Sequence, residues 1–212
     1  MINVDRSSVT APEVTTNHRT LDILKALEIV FLGKCYICEK SLPHPNFFQV
    51  DHFIPKNEDP TLEYEWTNLY LCCIDCNISR KRTTPIGGYL DPCLHGDNVE
   101  QEIIYSLPSY EHNEPLFTPR NKNPSKKIIN TIQQLKRLHY GTTQETKVKC
   151  AAFREVIAKQ ASKLITKIAE ENKALKIGDR ILADQRAQEI ENMIDCKAPF
   201  TMLLRDIVKR IR

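Results

Sequence analysis

Apolar residues in this chain recur every three to four positions just after a polar N-terminal stretch, and again from residue 126 onward. Leu21, Leu24, Leu27 and Phe31 share one helical face, with Thr20 or Asn17 placed to cap that helix and Gly33 to end it. Residues 1–18, with Pro12 and several Thr and Ser, read as an extended or mobile arm. Asn46 to Val50 is aromatic and β-branched and predicts a short strand closed by Pro55; Trp66 to Leu71 predicts a second. A helix is expected over residues 77–82, stopped by Pro85 and Gly87-Gly88. Residues 85–125 hold six prolines and predict loops, with one or two short strands near Ile103-Ile104-Tyr105.

Beyond Lys126 the pattern is helical. Ile128, Ile132 and Leu135 share a face up to a break at Gly141. A long pattern then runs through Val148, Ala152, Phe153, Val156, Ala161, Leu164, Ile165 and Ile168 to Gly178, longer than a typical helix and suggestive of a hairpin or a partner-binding helix. Two further helices are expected, at about 179–195 and 199–211. The pattern as a whole predicts an α+β protein that is mostly α. Its divisions are an arm (1–18), a small core (19–90), an irregular acidic connector (91–125) and a helical region (126–212).

Composition adds a soluble globular class, at 41% hydrophobic and 27% charged residues. The longest apolar run, Ile29-Val30-Phe31-Leu32, is far below the roughly 18 residues of a membrane helix, and no secretion signal stands at the start. The expected location is the cytoplasm. Charge is split: residues 1–119 carry 9 Lys/Arg against 17 Asp/Glu, whereas residues 120–176 carry 14 against 4. A basic region of that density attracts phosphate, although a solvated helix face explains it equally well.

The chemistry concentrates in residues 35–77. Cys35-x-x-Cys38 and Cys73-x-x-Cys76 have the spacing of two metal knuckles, and without a secretion signal that pattern favours zinc over disulfides. The 34 residues between the knuckles are too few to bury a core of their own, so zinc would supply much of their folding energy. Cys72 adjoins Cys73, and the matched spacing assigns Cys73; Cys72, Cys93, Cys150 and Cys196 read as buried small apolar residues. Between the knuckles lies Asp51-His52, with Asn68 and Asn77 downstream. A carboxylate and an amide oxygen suit a hard cation such as Mg2+ or Mn2+, and a neutral imidazole suits proton removal from water near pH 7. Neighbours on a strand face opposite ways, so Asp51 and His52 serve one centre only if the strand ends or bends there. Lys56, Arg80 and Lys81 are placed to touch phosphate beside such a site.

Three segments, Val50-Asp51-His52-Phe53-Ile54-Pro55-Lys56, Trp66-Thr67-Asn68-Leu69 and Cys73-Ile74-Asp75-Cys76-Asn77, resemble the HNH endonuclease family with its ββα-metal fold. By that resemblance Asp51 and Asn77 are ligands of the catalytic ion, His52 is the general base and Asn68 orients it. Many members carry histidine where Asn77 stands; asparagine variants keep an oxygen ligand. The N-terminal arm with Arg6 and Pro12, Tyr64-Glu65-Trp66, Asp91-Pro92 and Pro199-Phe200 extend the resemblance to HNH subunits of Septu-type and retron-linked anti-phage systems. That likeness implies an ABC/SMC-like ATPase partner and, in retrons, a reverse transcriptase with an RNA–DNA hybrid. Two rival readings are a non-catalytic zinc-stapled adaptor and a CxxC redox protein, the latter lacking the expected βαβ context. No base-reading helix or aromatic single-strand platform is legible, which leaves DNA as the default substrate and RNA, tRNA included, open.

Overall fold

A computed structural model of the chain describes residues 1–107 and 116–212. Helix α1 (Leu21–Val30) starts where the Thr20 side chain accepts from the Ile23 amide, which selects Thr20 over Asn17 as the cap. It buries Ile23, Ala26, Leu27 and Val30. The two strands of the core, β1 (Gln49–His52) and β2 (Leu69–Cys72), pair antiparallel with Asp51 opposite Tyr70 and His52 opposite Leu69. Both lie later in the chain than expected, because 3-10 turns occupy Pro45–Phe47 and Trp66–Asn68. The aromatic stretch thus supplies a turn and packing, while the strand itself carries Asp51 and His52. Helix α2 (Ile74–Ser79) follows directly and begins three residues before the expected start.

A four-residue helix, α3 (Val99–Glu102), leads into β3 (Ile103–Ser106), which pairs antiparallel with β4 (Leu116–Pro119). Part of the expected connector, with Glu111 and Glu114, lies outside the described residues. Four helices complete the chain: α4 (Lys126–Tyr140), α5 (Gln144–Ile177), α6 (Arg180–Ile194) and α7 (Thr201–Ile211). Between α4 and α5, Gly141 sits at φ 68°, and a Cβ there would lie 2.6 Å from the Lys147 and Thr146 backbone, so the turn requires glycine. Helix α5 opens with a reciprocal Thr143–Thr146 capping box and closes at Gly178 in the left-handed region.

The burial of α5 keeps Ala161, Leu164 and Ile168 of its predicted face and shifts the rest. Val148 and Val156 are exposed, and the inner stripe is Ile157, Ala161, Leu164, Ile168, Glu171 and Ala174. That stripe packs α5 against α6 as an antiparallel hairpin, laced outside by Lys167–Glu189 at 2.9 Å and Arg186–Glu170 at 2.5 Å. Exposed pairs of this kind contribute little; the apolar stripe holds the hairpin.

The helical region and the small core share one apolar interior. Phe200, the N-cap of α7, has no side chain to cap the helix; instead Glu39, beside the first knuckle, accepts from the Met202 amide at 3.1 Å. A carboxylate at a helix N-terminus also meets the positive end of its dipole. Buried Lys34 donates to the Ala198 carbonyl at 2.9 Å and to Thr201 Oγ1 at 3.2 Å, so the knuckle and the α6–α7 turn are tied from both sides. The N-terminal residues are likewise not a free arm. Met1 and Ile2 are buried, and Arg6 donates to the Trp66 and Leu69 carbonyls while its guanidinium lies over Phe31, Trp66 and Tyr70. Among the described residues no helix is long and apolar enough to cross a membrane.

Candidate metal centres and active-site cleft

Cys35, Cys38, Cys73 and Cys76 converge, all buried, with their sulfur atoms within 4.8 Å of one another. Cys38 and Cys73 are 3.8 Å apart, which is about the edge of a tetrahedron of zinc–sulfur bonds near 2.3 Å. The donor set therefore fits structural zinc. Burial raises the Cys35 thiol, but hydrogen bonds from Cys38, Cys72, Cys73 and Cys76 outweigh it and hold Cys35 well below the ordinary range. Cys38 and Cys76 are pushed well above it, chiefly by their bonds to Cys35. Cys72 lies 3.9 Å from Cys35 at the end of β2, buried outside the four-sulfur set. Cys93, Cys150 and Cys196 are only partly buried, unlike the fully interior positions their spacing suggested.

On the other side of α2 lies a cleft of about 600 Å3 lined by Asp51, His52, Lys56, Asn77, Arg80 and Lys81, with His18 and Arg82 at its edges. Asp51 and His52 both reach this cleft because β1 ends at His52. Asp51 is buried; its Oδ2 accepts from the Tyr36 hydroxyl at 2.6 Å and from Arg80 at 2.5 Å, and Oδ1 accepts nothing from the described residues. The Asn77 side chain, part-buried on α2, also makes no hydrogen bond among them. A free carboxylate oxygen and a free amide on one cleft fit a hard divalent cation.

His52 Nε2 lies 2.9 Å from the Glu63 carbonyl oxygen. A carbonyl only accepts, so Nε2 carries the proton and Nδ1 keeps its lone pair. Asn68 secures that arrangement from behind. Its Oδ1 accepts from the Ile54 amide at 2.7 Å, and its Nδ2 donates to the Ile54 and Leu62 carbonyls at 2.9 and 3.1 Å. The amide thereby clamps both ends of the loop whose Glu63 carbonyl holds the imidazole. Its hydrogen bonds reach the backbone of that loop and not the His52 ring.

The three cations expected to face phosphate divide. Lys81 is exposed at the cleft, and Lys56 is exposed and paired with Glu63 at 3.0 Å. Arg80 departs from its expected place: at 8% exposure it faces inward, donating to Asp51 and to the His52 and Phe53 carbonyls. Three participants escaped the sequence reading. Tyr36 sits between two knuckle cysteines, His18 lies in the polar arm with its ring 4.8 Å from that of His52, and Glu63 contributes only its backbone. Burial, then His52, pushes the His18 imidazole down, so it stands neutral beside the base. No spacing rule singles out any of the three.

Residues 35–83 match the family model of the HNH endonuclease. This segment, 49 of the 212 residues, is similar to an HNH endonuclease domain. It spans both knuckles, both core strands, α2 and every cleft residue named above except His18. No curated protein and no solved structure matches the chain. The HNH match and the four-sulfur cluster together make the chain nuclease-like and zinc-binding in kind.

Proposed function

We propose that the chain is a metal-dependent endonuclease that hydrolyses phosphodiester bonds in the cleft between β1 and α2. The observation that carries this reading is the 2.9 Å contact of His52 Nε2 with the Glu63 carbonyl, at a cleft His52 shares with Asp51 and Asn77: a proton held there on Nε2 makes Nδ1 the basic nitrogen. A non-catalytic adaptor would need the cysteines but not this arrangement. His52 takes the proton of an attacking water, and the neutral His18 beside it adds no charge to oppose that transfer. Asp51 Oδ1 and the Asn77 amide would hold Mg2+ or Mn2+, which supplies charge stabilisation for the phosphate and the leaving oxygen. Asn68 is the positioning residue for His52.

The substrate is a nucleic acid. Lys81 lines both the cleft and a neighbouring groove of about 360 Å3 that also carries Lys136 and Arg137 of α4. That groove continues the cationic surface away from the reacting centre and gives a phosphate backbone a path. The resemblance to Septu-type and retron-linked HNH subunits extends the proposal to an anti-phage effector, with the α5–α6 hairpin as the surface for an ABC/SMC-like ATPase.

The test is cleavage of plasmid DNA and total RNA with Mg2+ or Mn2+, comparing the chain with His52→Ala, each alone and co-purified with the product of the neighbouring gene. General-base removal is expected to cost about 10²–10⁴-fold in rate with zinc content unchanged. Cleavage that survives His52→Ala at full rate would reject the mechanism, and no His52-dependent cleavage of either substrate by the partnered protein would favour the adaptor.

A further inference from the structure

Asp51 is the one acidic side chain among the described residues lining the cleft, which also presents Lys56, Arg80, Lys81 and Arg82. Lys56 is offset by Glu63. Arg80 is offset by Asp51 itself, and its position looks built: Cζ lies 5.3 Å from the Phe53 ring centre and 5.6 Å from that of Tyr89. Those rings flank the guanidinium, and the Asp51 carboxylate with the His52 and Phe53 carbonyls accepts three hydrogen bonds from its two Nη atoms. Both hydrogen bonds to Asp51 fall on Oδ2, so the carboxylate is held with Oδ1 left over.

Affinity for a hard dication depends on how many negative ligands face it. Here the single carboxylate is matched at contact distance by a buried guanidinium, where charges interact more strongly than in water. The other ligand, the Asn77 amide, is neutral. We infer that Arg80 is a positioning residue which makes cation binding at Asp51 conditional on substrate: the free protein holds Mg2+ or Mn2+ weakly, and the phosphate of a bound nucleic acid supplies the missing negative charge. Arg80 acts through Asp51 and does not touch the phosphate. The inference rests on the nuclease reading of the cleft and deepens it, since ion and substrate then assemble together by reciprocal linkage.

The test reads Mn2+ binding to the zinc-loaded full chain by electron paramagnetic resonance, in a His52→Ala background that prevents cleavage. Titrations are run without nucleic acid, with a short DNA duplex and with a short RNA hairpin. At least one of the two is expected to tighten Mn2+ binding about tenfold or more. Arg80→Gln should bind Mn2+ about tenfold tighter without nucleic acid and gain less on adding it, Arg80→Lys should keep the parent pattern, and Asp51→Asn should lose Mn2+ throughout. Tight Mn2+ binding indifferent to both nucleic acids, or a folded Arg80→Gln indistinguishable from its parent, overturns the inference. If Arg80→Gln loses its zinc, the nucleic-acid dependence of the parent and of Arg80→Lys decides alone. Cleavage by the His52 protein is scored separately. Its presence beside nucleic-acid-independent Mn2+ binding rejects this inference only, and the absence of both cleavage and coupling rejects the nuclease reading too.

Discussion

Cys76 and Asn77 are consecutive residues of α2, yet they face centres of opposite design. The first is closed: four buried sulfurs from the two knuckles satisfy a tetrahedral ion with nothing left for a substrate. The second is open: one carboxylate paired with Arg80 and one amide face a cleft of about 600 Å3 that His52 also lines. Consecutive residues on a helix point about a quarter-turn apart, so a six-residue helix can anchor itself on one ion while presenting a ligand to another. The difference teaches how one short helix can serve two purposes: four buried sulfurs suit an ion that supports folding, whereas a lone carboxylate paired with an arginine suits the conditional binding proposed above.

The largest effect should come from breaking the closed centre. Cys35→Ser is expected to remove zinc and soluble folding together, because structural zinc supplies on the order of 10 kcal/mol to small domains. Zinc analysis and circular dichroism check this; a variant that stays folded and keeps its zinc would overturn the assignment of the four sulfurs.

Acid sensitivity should separate the two centres from the helical region. His139, buried against Tyr105, Phe117 and Phe153, has its pKa lowered to about 3, chiefly by burial and then by Arg154. The folded value lies below the unfolded one, so the unfolded chain takes up the proton first. His139 therefore costs nothing above roughly pH 6.5, and below that stability falls by about 1.4 kcal/mol per unit until the folded value is reached. Urea unfolding of His139→Gln should have a shallower slope than the wild type between roughly pH 6.5 and 4. Parallel slopes would place the acid-labile group elsewhere.

Asn68→Ala should produce the smallest loss of stability and the sharpest local one. Removing three hydrogen bonds from a buried amide is expected to cost about 2–4 kcal/mol and to loosen the Ile54–Leu62 loop. Hydrogen exchange should rise at the Ile54 amide while the zinc centre keeps its protection. Uniform loosening would mean that loop and zinc centre form one cooperative unit.

Much of this was readable in the chain alone, for identifiable reasons. The paired CxxC spacing marks a zinc site because metal coordination demands a fixed ligand geometry. Thr20, Gly141 and Gly178 mark helix ends because capping and left-handed turns are local chemistry. The inner stripe of α5 matches its periodicity at Ala161, Leu164 and Ile168 but not at Val148 and Val156, because periodicity marks an apolar face and not the neighbour that covers it. Cys93, Cys150 and Cys196 are likewise half-exposed for reasons that only packing supplies.

The sequence by itself determined the four-cysteine cluster, the approximate limits of the long helices and the residue types in the cleft, since each depends on short-range spacing and intrinsic chemistry. The tertiary structure alone decided what those residues are paired with. Arg80 lies 29 positions from Asp51, and Glu63 lies 11 from His52. Nothing in the identity of an arginine says whether it will meet solvent, phosphate or a buried carboxylate. That choice follows from the turn of the chain after α2, which carries Arg80 under Phe53 and Tyr89, where only a buried acceptor can satisfy it.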